Sequence, residues 1–265
     1  RRRDVLVDVL ERDLDGAVAL VRQRQAVLPA GPPRVEMSLH ADLVRLKFAA
    51  SWSRQHTGIE RHCIIPDGFR KGEGFRLYDW QLWIVLNHYR VKPGAVVNAR
   101  RLLAPFHYRR SVIVGPQKCG KSPWGAGMLL LEGVGPSVFA GWAVPGDVYR
   151  CEDHGCGCGW EYEYQPGEAM GVPRRKSLLG LLAFAETQTA NVYEPLQTMI
   201  HSGPLAEFVK VREGYIGLPN RGKIIPLTSK AKSKLGQPLT GGLGDESGLY
   251  TPESGVLGTW QTMRR

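Results

Sequence analysis

An α/β fold, with a mainly parallel sheet flanked by helices, is predicted by three observations on the sequence. Past Gly58, apolar runs of strand length alternate with stretches of helical period: residues 111–114, 123–132, 138–142, 178–185 and 192–200. Strands that interleave with helices in this way pair in parallel, because each helix carries the chain back across the sheet. A glycine-bounded octet, residues 115–122, joins the first predicted strand to the first predicted helix. Finally, 43% hydrophobic and 23% charged residues in 265 is the mix of a globular chain, which excludes a fibre, a coiled coil or a wholly disordered tail.

The N-terminal part reads differently. Leu6, Val9, Leu10, Leu14, Ala17, Val18 and Val21 recur at steps of three and four, the period of an amphipathic helix. Pro29 and Gly31-Pro32-Pro33 stop it and mark a hinge over residues 29–34. A second helix is predicted over 41–55, ending near Gly58. The expected organisation is therefore a helical appendage, 1–58, and an α/β domain, 59–265, incomplete at its C-terminal end. Residues 145–175, rich in Gly, Cys, Tyr and Glu, interrupt the alternation and read as an insertion.

Several classes fall away. The longest apolar run, 178–185, is far short of the ~20 residues of a membrane span. Arg1-Arg2-Arg3 has no apolar segment behind it, so no signal peptide and no membrane partner are expected. Five cysteines, two isolated and three clustered, do not make a secreted disulfide framework, and a reducing cytoplasmic setting is expected. The net charge of +10 suits a polyanionic partner, and equally a merely soluble surface.

The octet Gly115-Pro116-Gln117-Lys118-Cys119-Gly120-Lys121-Ser122 fits G-x-x-x-x-G-K-[ST] at every fixed position. With this composition, about 0.01 such matches are expected by chance. Its residue types suit a phosphate loop. Gly115 and Gly120 let the backbone curl so that N–H groups turn inward on phosphate oxygens. The following helix N-terminus adds partial positive charge. Lys121 then reaches the β- and γ-phosphates of a bound nucleotide such as ATP, and Ser122 offers a hydroxyl to Mg²⁺. Pro123 falls in the first turn, where a missing N–H is harmless. The fold class is accordingly that of a P-loop NTPase.

Such a loop needs an acidic partner at the end of another strand. Asp245-Glu246 is the candidate pair, with Asp245 on the metal and Glu246 as the base that polarises water. The preceding stretch contains Gly241, Gly242 and Gly244, so an exposed acidic turn is the competing reading. Glu132 and Glu186 are weaker rivals. Arg101, Arg109, Arg110, Arg212 and Arg221 form the pool from which a cation for the developing γ-phosphate charge could come.

In their order these motifs resemble the N-terminal ATPase region of large terminase subunits, the motors that package double-stranded DNA into tailed-phage heads. The resemblance runs from about Phe69 to the end. Gly74-Phe75-Arg76-Leu77-Tyr78-Asp79-Trp80-Gln81 is similar to the family's adenine-side motif, which implies that Gln81 reads the adenine edge. Trp80 would stack on the base or anchor the core. The loop from Pro116 to Ser122 resembles the family loop, with Gln117 where many members carry Arg and Lys118 beside it. The polar turn 185–193, the stretch 229–237 and Asp245-Glu246-Ser247 follow in the family's order. The resemblance implies an ATPase (Walker A) motor in the host-cell cytoplasm, acting on double-stranded DNA as a homo-oligomeric ring with portal and small-subunit partners. In the family a coupling motif and a nuclease domain come next. The sequence stops at Arg265, so no nuclease activity is expected of it. A helicase-like ATPase, or a truncated nucleotide- or DNA-binding piece without turnover, are the alternatives.

Two further groups stand out. Lys223, Lys230, Lys232 and Lys234 make a basic stretch suited to DNA phosphates or to solvent. Cys151, His154, Cys156 and Cys158 lie within eight residues, and Cys and His are zinc ligands. One loop using all four is cramped, so zinc and free thiols both stand as readings.

Overall fold

The computed structural model describes residues 53–183, 186–227, 239–251 and 256–263. The helix predicted before residue 29, the hinge at 29–34 and Lys230, Lys232 and Lys234 lie outside them, as does the 229–237 stretch. The first described helix, α1 (Ser53–His62), does not stop near Gly58 as the sequence suggested. It runs on because Ile59 and the following Cys63, each 3% exposed, drop into the core one turn apart. Helix α2 (Asp79–His88) buries Gln81, Val85 and Leu86. Helix α3 (Lys121–Val134) follows the glycine-rich loop, as its period predicted.

The chain then forms two antiparallel ribbons. β1 (Val138–Trp142) pairs with β4 (Ala169–Val172), and nested within them β2 (Val148–Arg150) pairs with β3 (Glu161–Glu163). Residues 138–142 are thus a strand, as predicted, but one that opens the insertion instead of joining a parallel sheet. Inside the insertion, Ala143, Tyr149, Cys151, Cys156 and Tyr164 make a small separate core.

The main sheet has five strands in the order β6-β7-β8-β5-β9. β5 (Leu178–Leu182) is central and runs parallel to β8 (Lys223–Leu227) on one side and β9 (Gly241–Gly244) on the other. β6 (Lys210–Arg212) and β7 (Tyr215–Gly217) add antiparallel edges. The sheet is therefore mixed, not mainly parallel: Gly214, at φ 75, lets the chain reverse in a tight turn between β6 and β7. Leu179, Leu181 and Leu182 are all fully buried, which requires cover on both faces. Leu179 and Leu181 join the main core with α3 and α4 (Glu186–Ser202). Leu182 points the other way, into a cluster with Leu227, Tyr250 and Val256 of α5 (Val256–Met263).

Residues 111–114 form no strand and have no ladder partner among the described residues. Ile113 packs on the core while Val114 is 85% exposed. Alternation specifies which way side chains point; it does not supply a neighbour to pair with.

The direction of α3 fixes where the loop lies. A Cβ on Gly125 would come within 2.8 Å of Leu243 Cδ1, and Leu243 pairs with Leu181 toward the C-terminal end of the strands. Two turns later, a Cβ on Gly133 would lie 3.7 Å from Leu179 Cδ1, near the strands' beginning. Ser177, just before β5, donates its hydroxyl to the Glu132 carbonyl at 3.1 Å. Helix α3 therefore runs antiparallel to β5 and β9, with its N-terminus at their C-terminal edge, where open α/β sheets gather ligands.

Candidate active site

Gly120 caps α3 from the left-handed region, φ 84, which a residue without a Cβ adopts freely. The helix's first bond runs from the Trp124 N–H to the Gly120 carbonyl, 3.2 Å. No side chain caps this end, so the partial positive charge of the first turn faces the loop uncompensated. Lys118 is held at φ 60, a conformation that costs an L-residue about 1 kcal/mol or more. Gly115, Pro116, Gln117 and Lys118 are exposed, and Cys119, Gly120, Lys121 and Ser122 are partly buried. The Lys121 ammonium folds back over the loop and donates to the Gly115 carbonyl at 3.1 Å and to the Pro116 carbonyl.

Gln81, expected at the adenine edge, lies against the loop that precedes α3. It is 1% exposed, and both ends of its amide are engaged. Its Oε1 accepts the Tyr78 N–H at 2.9 Å and its Nε2 donates to the Gly120 carbonyl at 3.2 Å. In this arrangement Gln81 ties the start of α2 to the glycine-rich loop, because an amide can accept and donate at once. Trp80 stands beside Trp124, with ring centroids 6.1 Å apart, and with Tyr78, Lys118, Cys119 and Gly120 lines a recess next to the loop.

Asp245 and Glu246 leave the end of β9. The Asp245 N–H donates to the Leu182 carbonyl at 2.8 Å, which prolongs the β5–β9 ladder by one bond. The Tyr250 hydroxyl lies 2.7 Å from the Asp245 carbonyl and 2.8 Å from that of Leu182, bridging the two strand ends. Burial raises the Tyr250 pKa, and the charges of Asp245 and Glu246 raise it further, so the hydroxyl keeps its proton. Glu246 is exposed, at φ 51. Lys118, Glu246 and Arg221 are the non-glycine residues with positive φ among those described. Two of these three belong to the predicted site, the kind of place where backbone strain collects.

Of the rivals, Glu132 sits near the far end of α3 and accepts the Tyr89 hydroxyl. Burial above all, then the Glu132 charge, raises the Tyr89 pKa. Arg101, Arg109, Arg110, Arg212 and Arg221 are all exposed. Lys223 lies 4.7 Å over the Tyr215 ring, a cation–π contact within the sheet.

The insertion holds a second constellation. Cys151, Cys156 and Cys158 converge, but their fourth partner is His62 from α1, not His154. His62 Nε2 is 3.1 Å from Cys158 Sγ, 3.4 Å from Cys151 Sγ and 3.5 Å from Cys156 Sγ. His154 is instead tilted against the Tyr149 ring at 4.9 Å, since the short 3₁₀ turn Glu152–His154 directs it away from the thiols. Desolvation lowers the His62 pKa, which leaves the imidazole neutral. Nothing local in the sequence points to His62; the only hint is that the cramped cysteine spacing leaves room for a ligand from elsewhere. Of the remaining cysteines, Cys63 is a core thiol whose pKa burial pushes up to about 12.

No protein-family model matches the sequence, and no curated protein matches it. Among solved structures the chain is similar to the HK97 bacteriophage large terminase, with a TM-score of 0.47 and 20% sequence identity. The match covers 80% of this chain and 34% of that one, so the chain spans about a third of that protein's length.

Proposed function

We propose that the chain hydrolyses Mg·ATP and belongs to a motor that drives double-stranded DNA in phage genome packaging, working in a ring with portal and small-subunit partners. The observation that carries the ATPase reading is the meeting of two motifs at one edge of the sheet. The phosphate loop opens α3 at the C-terminal edge of β5 and β9, and Asp245-Glu246 leaves β9 at that same edge. The packaging reading rests on the order of the motifs along the sequence, and the basic surplus of +10 suits a DNA partner.

Phosphoryl transfer asks a protein mainly for positioning and charge. Lys121 exchanges its loop carbonyls for phosphate oxygens. The Ser122 hydroxyl and the Asp245 carboxylate are hard oxygen donors of the type Mg²⁺ prefers, and the donor set fits that ion. When bound, Mg²⁺ neutralises charge across the β- and γ-phosphates. Glu246 accepts the proton of the water that attacks the γ-phosphorus as the bond to the ADP oxygen breaks. Gln81, through the Gly120 carbonyl, positions the loop.

The test is ATP hydrolysis and nucleotide binding by the full chain, with Lys121→Ala and Glu246→Gln. Turnover is expected to fall at least ~100-fold in both variants, with binding kept in Glu246→Gln. Wild-type turnover unchanged in Glu246→Gln would remove Glu246 as the base. Tight binding by the wild type with no turnover, in the presence of DNA, would replace the motor reading with a nucleotide-binding one.

A further inference from the structure

Four side chains outside the phosphate loop bring their ligand atoms together. His62 Nε2 and the Sγ atoms of Cys151, Cys156 and Cys158 all lie within 4.8 Å of one another. A tetrahedral ion with Zn–S near 2.3 Å and Zn–N near 2.05 Å needs ligand separations of about 3.6 Å for N···S and about 3.8 Å for S···S. Of the three N···S distances, 3.4 and 3.5 Å lie within about 0.2 Å of that shell and 3.1 Å within about 0.5 Å.

The surroundings are those of a metal ligand set. His62 Nδ1 lies 2.8 Å from the Gly58 carbonyl, which can only accept, so the ring proton sits on Nδ1 and the Nε2 lone pair faces the thiols. The Trp160 ring stands edge-on to the imidazole at 5.9 Å and limits its rotation. The Trp160 N–H points at Cys158 Sγ, 3.4 Å away, the contact that favours a thiolate. Arg61 donates to the Cys158 carbonyl at 3.2 Å and brings a positive charge to the site. With three thiolates and one neutral imidazole, a bound Zn²⁺ carries a single net negative charge, which Arg61 offsets. The site also lies where the inner ribbon meets α1: the small core there is Ala143, Tyr149, Tyr164 and two of these cysteines, with Trp160, Tyr162, Met170 and Phe208 packed against it, while Phe139 and Ala169 of the outer ribbon belong to the main core.

We propose that His62, Cys151, Cys156 and Cys158 bind one Zn²⁺ ion in a closed tetrahedral site that fastens the insertion to α1. On binding, the three thiols release their protons to solvent and three Zn–S bonds and one Zn–N bond form, with no redox change. The set has no open position, so the site is structural. It is independent of the ATPase reading: it joins the insertion to the helix that packs against α3, and neither Lys121 nor Glu246 takes part.

The experiment is metal analysis of the full chain purified with zinc, followed by exchange to Co²⁺ and visible spectroscopy. The wild type is expected to hold about one equivalent of zinc and to give the d–d bands of tetrahedral Co²⁺ with thiolate charge transfer. Cys158→Ser and His62→Ala should lose the metal, and His154→Ala should keep it. His62→Cys guards against simple misfolding: it should retain about one equivalent and show a stronger thiolate band, because a fourth sulfur replaces nitrogen. Wild-type zinc below about a tenth of an equivalent would overturn the proposal. So would a His62→Cys cobalt spectrum identical to the wild type, or metal loss in His154→Ala.

Discussion

Replacing Gly125 by alanine tests the placement of the glycine-rich loop before α3. In an ordinary helix interior, Gly→Ala stabilises by about 1 kcal/mol, since it removes backbone freedom from the unfolded chain. Here the new Cβ would meet Leu243 Cδ1 at 2.8 Å, well inside van der Waals contact. Crowding of that kind costs about 1–3 kcal/mol, so the gain is cancelled or reversed, by up to about 2 kcal/mol. Removing the obstacle should restore the ordinary sign. In a Leu243→Ala background, Gly125→Ala should stabilise by about 1 kcal/mol, a coupling of at least 1 kcal/mol between the two sites. The assay is urea unfolding of the four proteins of the cycle, with midpoint and slope both fitted. Steady-state ATP hydrolysis read on the same samples should fall in Gly125→Ala, because Asp245 lies two residues beyond Leu243. The reasoning is refuted if Gly125→Ala stabilises by the same ~1 kcal/mol with and without Leu243, since the Leu243 methyl would then yield to the new Cβ without cost.

Two further perturbations probe the supports of the site. Gln81→Leu keeps the bulk but leaves the Tyr78 N–H unpaired and the Gly120 carbonyl with the Trp124 N–H alone, which should cost about 1–3 kcal/mol in urea unfolding and weaken nucleotide binding about tenfold. Unchanged binding would separate Gln81 from the loop. Tyr250→Phe removes the hydroxyl shared by the Leu182 and Asp245 carbonyls and should cost about 1–2 kcal/mol. Its turnover should fall severalfold while nucleotide affinity holds, and equal losses in both would place Tyr250 in binding instead.

Periodicity found α3, α4 and β5, because each is long enough to show its apolar stripe and each buries that stripe in the main core. It also found the strand at Val138–Trp142, yet could not say that its partner is Ala169–Val172 across the insertion. The strands β6 and β7 went unseen, since three residues are too few to display an alternation. The glycine-bounded octet stood out in the sequence because a phosphate-loop chemistry would fix residue types at fixed spacing, and its place ahead of α3 agrees with the predicted helix. Gln81 stood out only through the resemblance to the adenine-side motif, and its burial, and so its tie to Gly120, depends on how α2 packs. The Cys/His group shows the limit most clearly. The three cysteines were visible as a local cluster, whereas His62 stands 89 residues before Cys151 and is brought there only by the packing of α1 against the insertion.

The glycines of α3 also bear on the order in which the chain folds. Its fourteen residues include Gly125, Gly127 and Gly133, which together weaken the isolated helix by about 3 kcal/mol relative to alanine. A segment of that length is marginal in water even with ideal helix formers. An isolated α3 is therefore a weak nucleus. Its packing against Leu243 and Leu179 of the parallel strands supplies what its own sequence lacks, so we expect α3 and the loop that opens it to order after those strands, with low φ-values for substitutions in α3. On the proposed ATPase reading, nucleotide binding would then report on a completed sheet.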